Sequence, residues 1–202
     1  AGITYLETDE GGVPLQVFGK HNLSNLSAAQ WICQLMGVDQ DDFFQAISSF
    51  RGASKRLERL IDGKSSHLFK DFAHAPSKVK ATTGAVREQF AQSKVVACLE
   101  LHTYSSLDPS FLIHYQNSLE KSDLPIVFYD PEALKIKNRT PISPEEIRTA
   151  FGQPDLMVFT QPKALEDFLL EQDYHSSVLL MMSSGNYGGL DWQTLISKLS
   201  HY

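Results

Sequence analysis

The sequence Lys70-Asp71-Phe72-Ala73-His74-Ala75-Pro76 marks a change from strand to helix. The preceding residues His67 to Phe69 belong to an apolar strand, and Pro76 suits the first turn of a helix because its fixed φ and missing N–H cost nothing there. Residues 77–87 continue with apolar side chains at helical spacing. Asp71 and His74 are therefore predicted to lie on a strand-to-helix loop.

This loop is a candidate ligand site. In open α/β sheets, ligands bind at the carboxyl ends of the strands, where the free N–H groups of helix N-termini favour anions such as phosphate. A carboxylate such as Asp71 suits a ribose hydroxyl, and an imidazole such as His74 suits a phosphate oxygen. The same residues also fit a structural interpretation, in which Asp71 caps the helix and His74 packs under the loop.

Composition and charge exclude several classes of protein. The 202 residues are 42% hydrophobic and 21% charged, as in an ordinary soluble protein of one large or two smaller domains. The formal net charge of −6 argues against a dedicated nucleic-acid binder. The densest basic run is Lys55-Arg56, with Arg51 and Arg59 nearby, and it is long enough for one polyphosphate but too short for a duplex.

The cysteines and the apolar runs bear on the cellular compartment. Cys33 and Cys98 lie in apolar runs without metal-ligand spacing, so we expect buried thiols in a reducing compartment rather than a disulfide. No stretch approaches the roughly 20 apolar residues of a membrane span. The polar N-terminus does not have the pattern of a signal peptide. We therefore expect a cytoplasmic protein with no membrane partner and no nucleic-acid partner.

The first fifty residues contain little predicted sheet. The patterns indicate strands at 3–7 and 14–18 and helices at 26–36 and 41–50. A hairpin and two helices are an awkward independent fold, so we expect residues 1–50 to be the end of a larger domain that lies upstream of Ala1. A basic linker follows Phe50 and places a boundary there, with residues 51–202 as a second domain.

From Ser66 onward, strand and helix patterns alternate. The predicted strands are 68–72, 94–101, 125–129, 156–159 and 177–182, and the predicted helices are 76–91, 109–121, 131–136, 144–151, 162–172 and 190–199. Residues 95–99 and 178–182 are continuous apolar runs, which are typical of parallel strands buried on both faces. The alternation predicts an α/β domain with a Rossmann-like, doubly wound and mostly parallel sheet.

Two further segments are candidates for binding a nucleotide. His21, Asn22 and Asn25 lie within one turn at the start of a helix, and the paired donor and acceptor of an Asn amide suit an adenine edge, although Asn is also a common helix cap. Arg56, next to Lys55, can clamp a phosphate with two parallel hydrogen bonds, although such a pair also occurs as a solvated surface feature.

A glycine-rich segment, residues 182–189, follows the last predicted strand. Polar side chains and accessible backbone amides are available here to an anionic group, from Ser183, Ser184 and Asn186. The structural alternative is a tight connection between strand and helix that requires glycine. The order Gly-x-Ser-x-Gly is absent, so Ser184 is not expected to be a hydrolase nucleophile. Glu100, His102 and His74 come from different strands and have no ligand spacing, and we expect no metal site.

Three ordered motifs resemble the signature of the Mur ligase family of ATP-dependent amide-bond-forming enzymes. They are Gly19-x-His21-Asn22-x-x-Asn25-x-x-Ala28-Ala29, Phe50-x-Gly52-x-x-Lys55-Arg56 and Asp71-Phe72-Ala73-His74-x-Pro76. The resemblance spans the whole chain. Residues 96–103 and 182–189 are similar to segments of the branch that joins a ready-made murein tripeptide to UDP-N-acetylmuramate. The branch that adds L-alanine to UDP-N-acetylmuramate is the nearest alternative.

The resemblance implies a mechanism and a role for each motif residue. ATP phosphorylates the muramyl carboxylate, and the amine of the incoming peptide attacks the acyl phosphate to give an amide, in peptidoglycan recycling and cell-wall biosynthesis. The implied roles are adenine contact for Asn25, support of that site for His21 and Asn22, ribose contact for Asp71, catalytic phosphate contacts for Arg56 and His74, and peptide binding for Ser183, Ser184 and Asn186. Lys55 replaces an arginine that the family often has, which keeps the charge but loses the planar fork.

No Gly-x-x-x-x-Gly-Lys-Ser/Thr phosphate loop occurs in these residues. Family members carry that loop, the main ligands for Mg²⁺ and the nucleotide-sugar domain further upstream. The sequence therefore predicts a C-terminal portion that uses ATP and Mg²⁺ only together with upstream domains and is inactive alone. A non-catalytic nucleotide-binding or interaction module with the same fold is the alternative from another class.

Overall fold

A six-stranded sheet forms the centre of the computed structural model, which describes residues 2–138 and 140–202. Its strands are β3 (Glu58–Asp62), β4 (Ser66–Asp71), β5 (Lys94–Glu100), β6 (Leu124–Phe128), β7 (Met157–Phe159) and β8 (Ser177–Met182). They lie in the order β3-β4-β8-β5-β6-β7, with β3 antiparallel to β4 and the other pairs parallel. The predicted mostly parallel α/β fold is confirmed.

Helices cover both faces of this sheet. Before it come α1 (Lys20–Leu35) and α2 (Gln40–Ser48), and within it come α3 (Pro76–Gln89), α4 (Pro131–Ile136), α5 (Pro144–Phe151), α6 (Pro162–Glu171) and α7 (Trp192–Leu199). Apolar side chains of α3 and α5 pack on one face, and those of α6 and α7 pack on the other. Every residue of β8 is buried, because alternate side chains enter the two cores.

The helix predicted over residues 109–121 is wrong. The segment consists of turns and one short 3-10 helix, Leu112–Tyr115. Asn117 adopts a left-handed φ of 57°, and its N–H donates to the carbonyl of Phe151 at 3.0 Å instead of to the preceding turn. Tertiary hydrogen bonding therefore replaces the helical pattern, which sequence spacing alone does not reveal.

The first fifty residues have a small core of their own. Strands β1 (Thr4–Thr8) and β2 (Gly11–Leu15) form an antiparallel hairpin, as predicted, and α1 and α2 follow. Their shared buried core consists of Leu15, Val17, Leu26 and Phe43. Phe18 leaves this core and packs edge-on against Phe69 and Phe90 of the main core, with ring centroids 5.4 and 5.9 Å apart. The proposed domain boundary after residue 50 stays a prediction.

Helix α1 begins earlier than the apolar stripe at residue 26 indicates. Gly19 has a φ of 87°, which favours glycine, and it turns the chain so that the helix starts at Lys20. His21, Asn22 and Asn25 therefore lie in the first two turns of α1. Among the described residues, none of the helices has the length and apolar character that crossing a lipid bilayer requires.

Two glycines, one in α3 and one in the glycine-rich loop, should respond in opposite ways to alanine. Gly84 lies inside α3 with open space where a Cβ would project, so Gly84→Ala should raise the free energy of unfolding by about 0.5–1 kcal/mol. Gly188 has a φ of 65°, and its Cβ would overlap the ring of Pro162, so Gly188→Ala should lower it by about 1–3 kcal/mol. Urea unfolding monitored by circular dichroism measures both, and equal effects would contradict this assignment.

Candidate functional site

Asp71 joins two loops at the carboxyl end of β4. It is 5% exposed, and its Oδ2 accepts the N–H of Leu57 while its Oδ1 accepts the N–H of Ala73, both at 2.6 Å. The N–H of Phe72 donates in turn to the carbonyl of Lys55 at 2.9 Å. The loop after β4 and the basic loop, residues 53–57, are therefore fixed to each other through the backbone.

The basic loop holds Arg56 between two residues in an unfavourable backbone conformation. Lys55 has a φ of 56° and Leu57 a φ of 46°, values that are uncommon for residues other than glycine. Leu57 is buried, whereas Arg56 is exposed. The buried carboxylate of Asp71 stabilises this turn by accepting the Leu57 amide, and the result is a guanidinium presented to solvent.

Two adjoining cavities lie between α1 and the basic loop. Their volumes are about 500 and 630 Å³, within the range typical of small-molecule sites. Both are lined by Asn22 and Arg56, and the larger one is also lined by Asn25 and Lys78. Two amides and two cations from three separate elements thus face one space, a combination suited to a base edge and phosphates.

His21 lies beside the same charges. Burial is the main cause that lowers the pKa of its imidazole below the ordinary 6.5, the carboxylate of Asp71 raises the pKa, and the cations Lys78 and Arg56 lower it further. Because the folded-state pKa lies below the unfolded one, this group's contribution to stability is present above about pH 6.5 and is lost as the pH falls. Neutral His21 is therefore the form that the folded protein favours at neutral pH.

An anion bound next to Arg56 and Lys78 should raise the pKa of His21, because negative charge favours the protonated imidazole. NMR titration of the His21 ring with and without tripolyphosphate measures this shift. His175 precedes the amino end of β8, whereas Asp71 lies at the carboxyl end of the neighbouring parallel strand, so the His175 ring serves as the internal control. An equal response of both rings, or no response of His21, would contradict an anion site here.

His74 follows Asp71 but does not line either of these two cavities. Its Nδ1 lies 2.8 Å from the carbonyl of Phe72, and since a carbonyl only accepts, Nδ1 carries a proton and donates it there. The hydroxyl of Tyr115 donates to the backbone carbonyl of His74. These contacts fix the orientation of the half-exposed ring, and its predicted phosphate contact stays a prediction.

A buried carboxylate organises the glycine-rich loop. Glu100, at the end of β5, is 3% exposed and accepts hydrogen bonds from the hydroxyl of Ser183 and from the N–H of Tyr187, the latter at 3.0 Å. His102 Nδ1 lies 3.6 Å from Glu100 Oε1. A Cβ on Gly185 would lie 2.8 Å from both Glu100 Oε2 and His102 Cγ, so only glycine fits this close approach.

The three predicted peptide-binding residues occupy different environments. Ser183 is held by Glu100, and its N–H donates to the carbonyl of Asp71 at 3.0 Å, which connects this loop to the nucleotide side. The hydroxyl oxygen of Ser184 is buried without a hydrogen-bond partner among the described residues. Asn186 is exposed. Of the three, Ser184 is therefore the one with a buried polar atom that no described residue pairs, and Asn186 is the one whose side chain is open to solvent.

Sequence reasoning missed two residues of this region. Lys78 was not singled out, although its place in the first turn of α3, four residues after His74, was a usable signal. Glu100 was not predicted to accept hydrogen bonds from the glycine-rich loop, and its polar side chain at the end of an apolar strand was the available clue. Within residues 2–138 and 140–202, no group of three or more His, Cys, Asp or Glu side chains is arranged to hold a metal ion.

Comparison with known proteins identifies relatives of this chain, although no family model matches it. It is 35% identical over 135 residues to the UDP-N-acetylmuramate--L-alanine ligase of Caldicellulosiruptor bescii. The aligned region covers 67% of this chain and 29% of the relative. It is 30% identical over 181 residues to the protein of the same name from Synechocystis sp., which covers 87% of this chain and 35% of the relative. The chain is a homologue of the Mur ligases.

Solved Mur ligase structures share its fold. A UDP-N-acetylmuramate-alanine ligase from Thermotoga maritima covers 95% of this chain and 40% of its own, with a TM-score of 0.69 at 17% identity. The match to the MurF ligase of the same organism, in complex with ADP, covers 98% of this chain and 43% of the MurF chain, with a TM-score of 0.63 at 15% identity. A murein peptide ligase from Psychrobacter arcticus covers 95% and 39%, with a TM-score of 0.57 at 19% identity.

These comparisons confirm the similarity to the Mur ligases and the α/β fold of their C-terminal domain, both expected from the motifs. The chain spans about a third of the length of the curated relatives that it matches. The two curated relatives carry the name of the L-alanine ligase, so the branch that uses a tripeptide stays a prediction. The roles of the individual site residues also stay predictions.

Proposed function

We propose that this chain is the C-terminal part of an ATP-dependent ligase that forms an amide on UDP-N-acetylmuramate. The incoming amine is proposed to be the murein tripeptide L-Ala-γ-D-Glu-meso-diaminopimelate, in peptidoglycan recycling and cell-wall biosynthesis. The muramyl carboxylate is activated as an acyl phosphate at the expense of ATP, and attack by the amine releases phosphate. The phosphate loop and the ligands for Mg²⁺ are proposed to lie in another part of a longer protein.

The observation that carries this proposal is the larger cavity between α1 and the basic loop. Phosphoryl transfer depends on positive charge and positioning more than on covalent chemistry. Arg56 and Lys78 supply positive charge from two elements, and Asn25 of α1 supplies an amide that suits an adenine edge. Asn22 supports that site from the first turn of α1, where its side-chain NH₂ donates to the carbonyl of Phe18 at 3.0 Å. Asp71 is proposed for the ribose and His74 for a phosphate, since both belong to the loop bonded to the basic loop.

The exposed part of α1 supports the proposal that residues 1–50 complete a larger ATP-binding domain. Trp31, Ile32, Leu35 and Met36 are 58–86% exposed near the C-terminal end of this helix. Contiguous apolar surface of this kind marks a contact face more often than a free surface.

An L-alanine ligase is the second candidate, favoured by the names of the two curated relatives. The tripeptide is supported by the similarity of residues 96–103 and 182–189 to the peptide-adding branch. The exposed side chain of Asn186, within the glycine-rich loop, offers a polar contact that a larger peptide can use.

The test measures phosphate release by the full-length product of the gene that encodes this chain, with ATP, Mg²⁺ and UDP-N-acetylmuramate. Stoichiometric release with the tripeptide and none with L-alanine is the expected result. Release with L-alanine alone would establish the second candidate. A full-length product without a Gly-x-x-x-x-Gly-Lys-Ser/Thr loop, or without release for either amine, would contradict the ligase. The 202-residue chain alone should release no phosphate.

A further inference from the structure

We infer that Asp71 is a positioning residue, which aims Arg56 at the phosphates by holding the backbone of the basic loop. This inference rests on the proposed function and assigns Asp71 a role in addition to any contact with a ribose. It predicts that Asp71 affects the binding of phosphate even when the ligand has no sugar.

The carboxylate of Asp71 is hydrogen-bonded to two segments of backbone. Both carboxylate oxygens accept backbone amides, from Leu57 on one side and Ala73 on the other, and the group is almost fully buried. Charged acceptors form stronger hydrogen bonds than neutral ones, so each contact restrains the chain that donates it. The carboxylate thus acts as a brace, meaning that its two hydrogen bonds hold the basic loop and the loop after β4 together.

The backbone on either side of Arg56 is in an unfavourable conformation. Lys55 and Leu57 both have positive φ, a conformation that persists only where neighbouring contacts enforce it. The Leu57 amide given to Asp71 and the Lys55 carbonyl that accepts the N–H of Phe72 are two such contacts. Without the first of them, the loop is free to relax and the direction of the Arg56 side chain changes.

The variant Asp71→Asn separates the positioning role from the effect of charge and from a ribose contact, because each predicts a different change in the affinity for an anion without ribose. Removing a negative charge beside the cations should by itself tighten the binding of an anion. Loss of a ribose contact should leave a ligand without ribose unaffected. Positioning predicts weaker binding, because an amide that keeps one oxygen on Ala73 turns its NH₂ group toward the N–H of Leu57, donor against donor.

The experiment titrates the 202-residue chain with tripolyphosphate, which has neither ribose nor adenine, and follows the backbone amides by NMR. Asp71→Asn should weaken binding by about tenfold, the worth of one hydrogen bond to a charged group. Asp155→Asn, at an exposed position before β7, makes the same change of charge and should leave the affinity unchanged. Unchanged or tighter binding in Asp71→Asn would overturn the inference.

A double-mutant comparison checks that Asp71 acts through Arg56. Arg56→Ala should weaken tripolyphosphate binding, and adding Asp71→Asn to it should cause no further loss. Additive losses would overturn the inference, because Asp71 would then act independently of Arg56. A general loss of stability is recognised by its effect on amides throughout β4 and β8.

Hydrogen exchange of the Leu57 amide tests the contact made by Asp71 without any ligand, and therefore independently of the proposed function. In Asp71→Asn, the Leu57 amide should exchange at least about tenfold faster while the amides of β8 keep their protection. Unchanged exchange at Leu57 would overturn the brace itself. Absence of tripolyphosphate binding to the unmodified chain would overturn the inference that Asp71 aims Arg56 at phosphates, while a faster Leu57 amide would still establish the brace. The proposed function would be left to its own test, phosphate release by the full-length product.

Discussion

Arg56→Ala should lower kcat of the full-length gene product by about 100- to 1,000-fold, the effect of removing one group that stabilises transition-state charge. Arg56 is the exposed cation that lines both cavities, and the structure holds its loop in an unfavourable backbone conformation. The measurement is steady-state phosphate release at saturating ATP and UDP-N-acetylmuramate.

Two variants control for charge and for shape. Arg56→Lys keeps the charge but loses the fork, so its kcat should fall between those of the unmodified protein and Arg56→Ala. Lys64→Ala removes an exposed cation from the turn between β3 and β4 and should leave kcat unchanged. A kcat for Arg56→Ala within twofold of the unmodified protein would show that this guanidinium does not take part in phosphoryl transfer.

Glu100→Ala should lower the free energy of unfolding by about 3 kcal/mol, because it leaves buried donors without an acceptor and opens a cavity. The donors are the hydroxyl of Ser183 and the N–H of Tyr187, and both belong to the glycine-rich loop. Denaturant unfolding of the 202-residue chain measures this loss. The same variant should also mobilise the loop proposed to bind the peptide.

Glu100→Gln and Glu88→Ala are the matched controls. Glutamine keeps one acceptor oxygen and most of the volume, so we expect a smaller loss than for Glu100→Ala. Glu88 is exposed on α3, and its replacement by alanine should change the free energy of unfolding by no more than about 0.5 kcal/mol. Similar losses for Glu88→Ala and Glu100→Ala would contradict the role assigned to the buried carboxylate.

The alternation of strands and helices could be predicted from sequence because each element is locally consistent. Continuous apolar runs such as residues 178–182 indicate strands covered on both faces, and Pro76, Pro131, Pro144 and Pro162 each begin a helix. Residues 109–121 have comparable spacing but are held by Asn117 and Phe151 in turns. Such long-range hydrogen bonds leave no periodic signal in the sequence.

The candidate site was predictable only in part for a similar reason. The motifs pointed to Arg56, Asp71 and the residues of α1, but no pattern indicated that both oxygens of Asp71 accept backbone amides. The place of Lys78 in the first turn of α3 was the one signal that it lines the cavity. Glu100 was missed as a brace because its donors are 83 and 87 residues away along the chain. Sequence spacing identifies chemically capable residues, whereas the fold decides which of them meet.

An NMR titration of the full-length gene product with millimolar ATP and Mg²⁺ tests the central claim most directly. The account predicts that the amides of residues 19–25, 53–57 and 71–78 shift together with one dissociation constant, because these three segments surround one nucleotide. Shifts confined to other parts of the chain, or no shift in these three segments, would contradict the claim that they form a single nucleotide site.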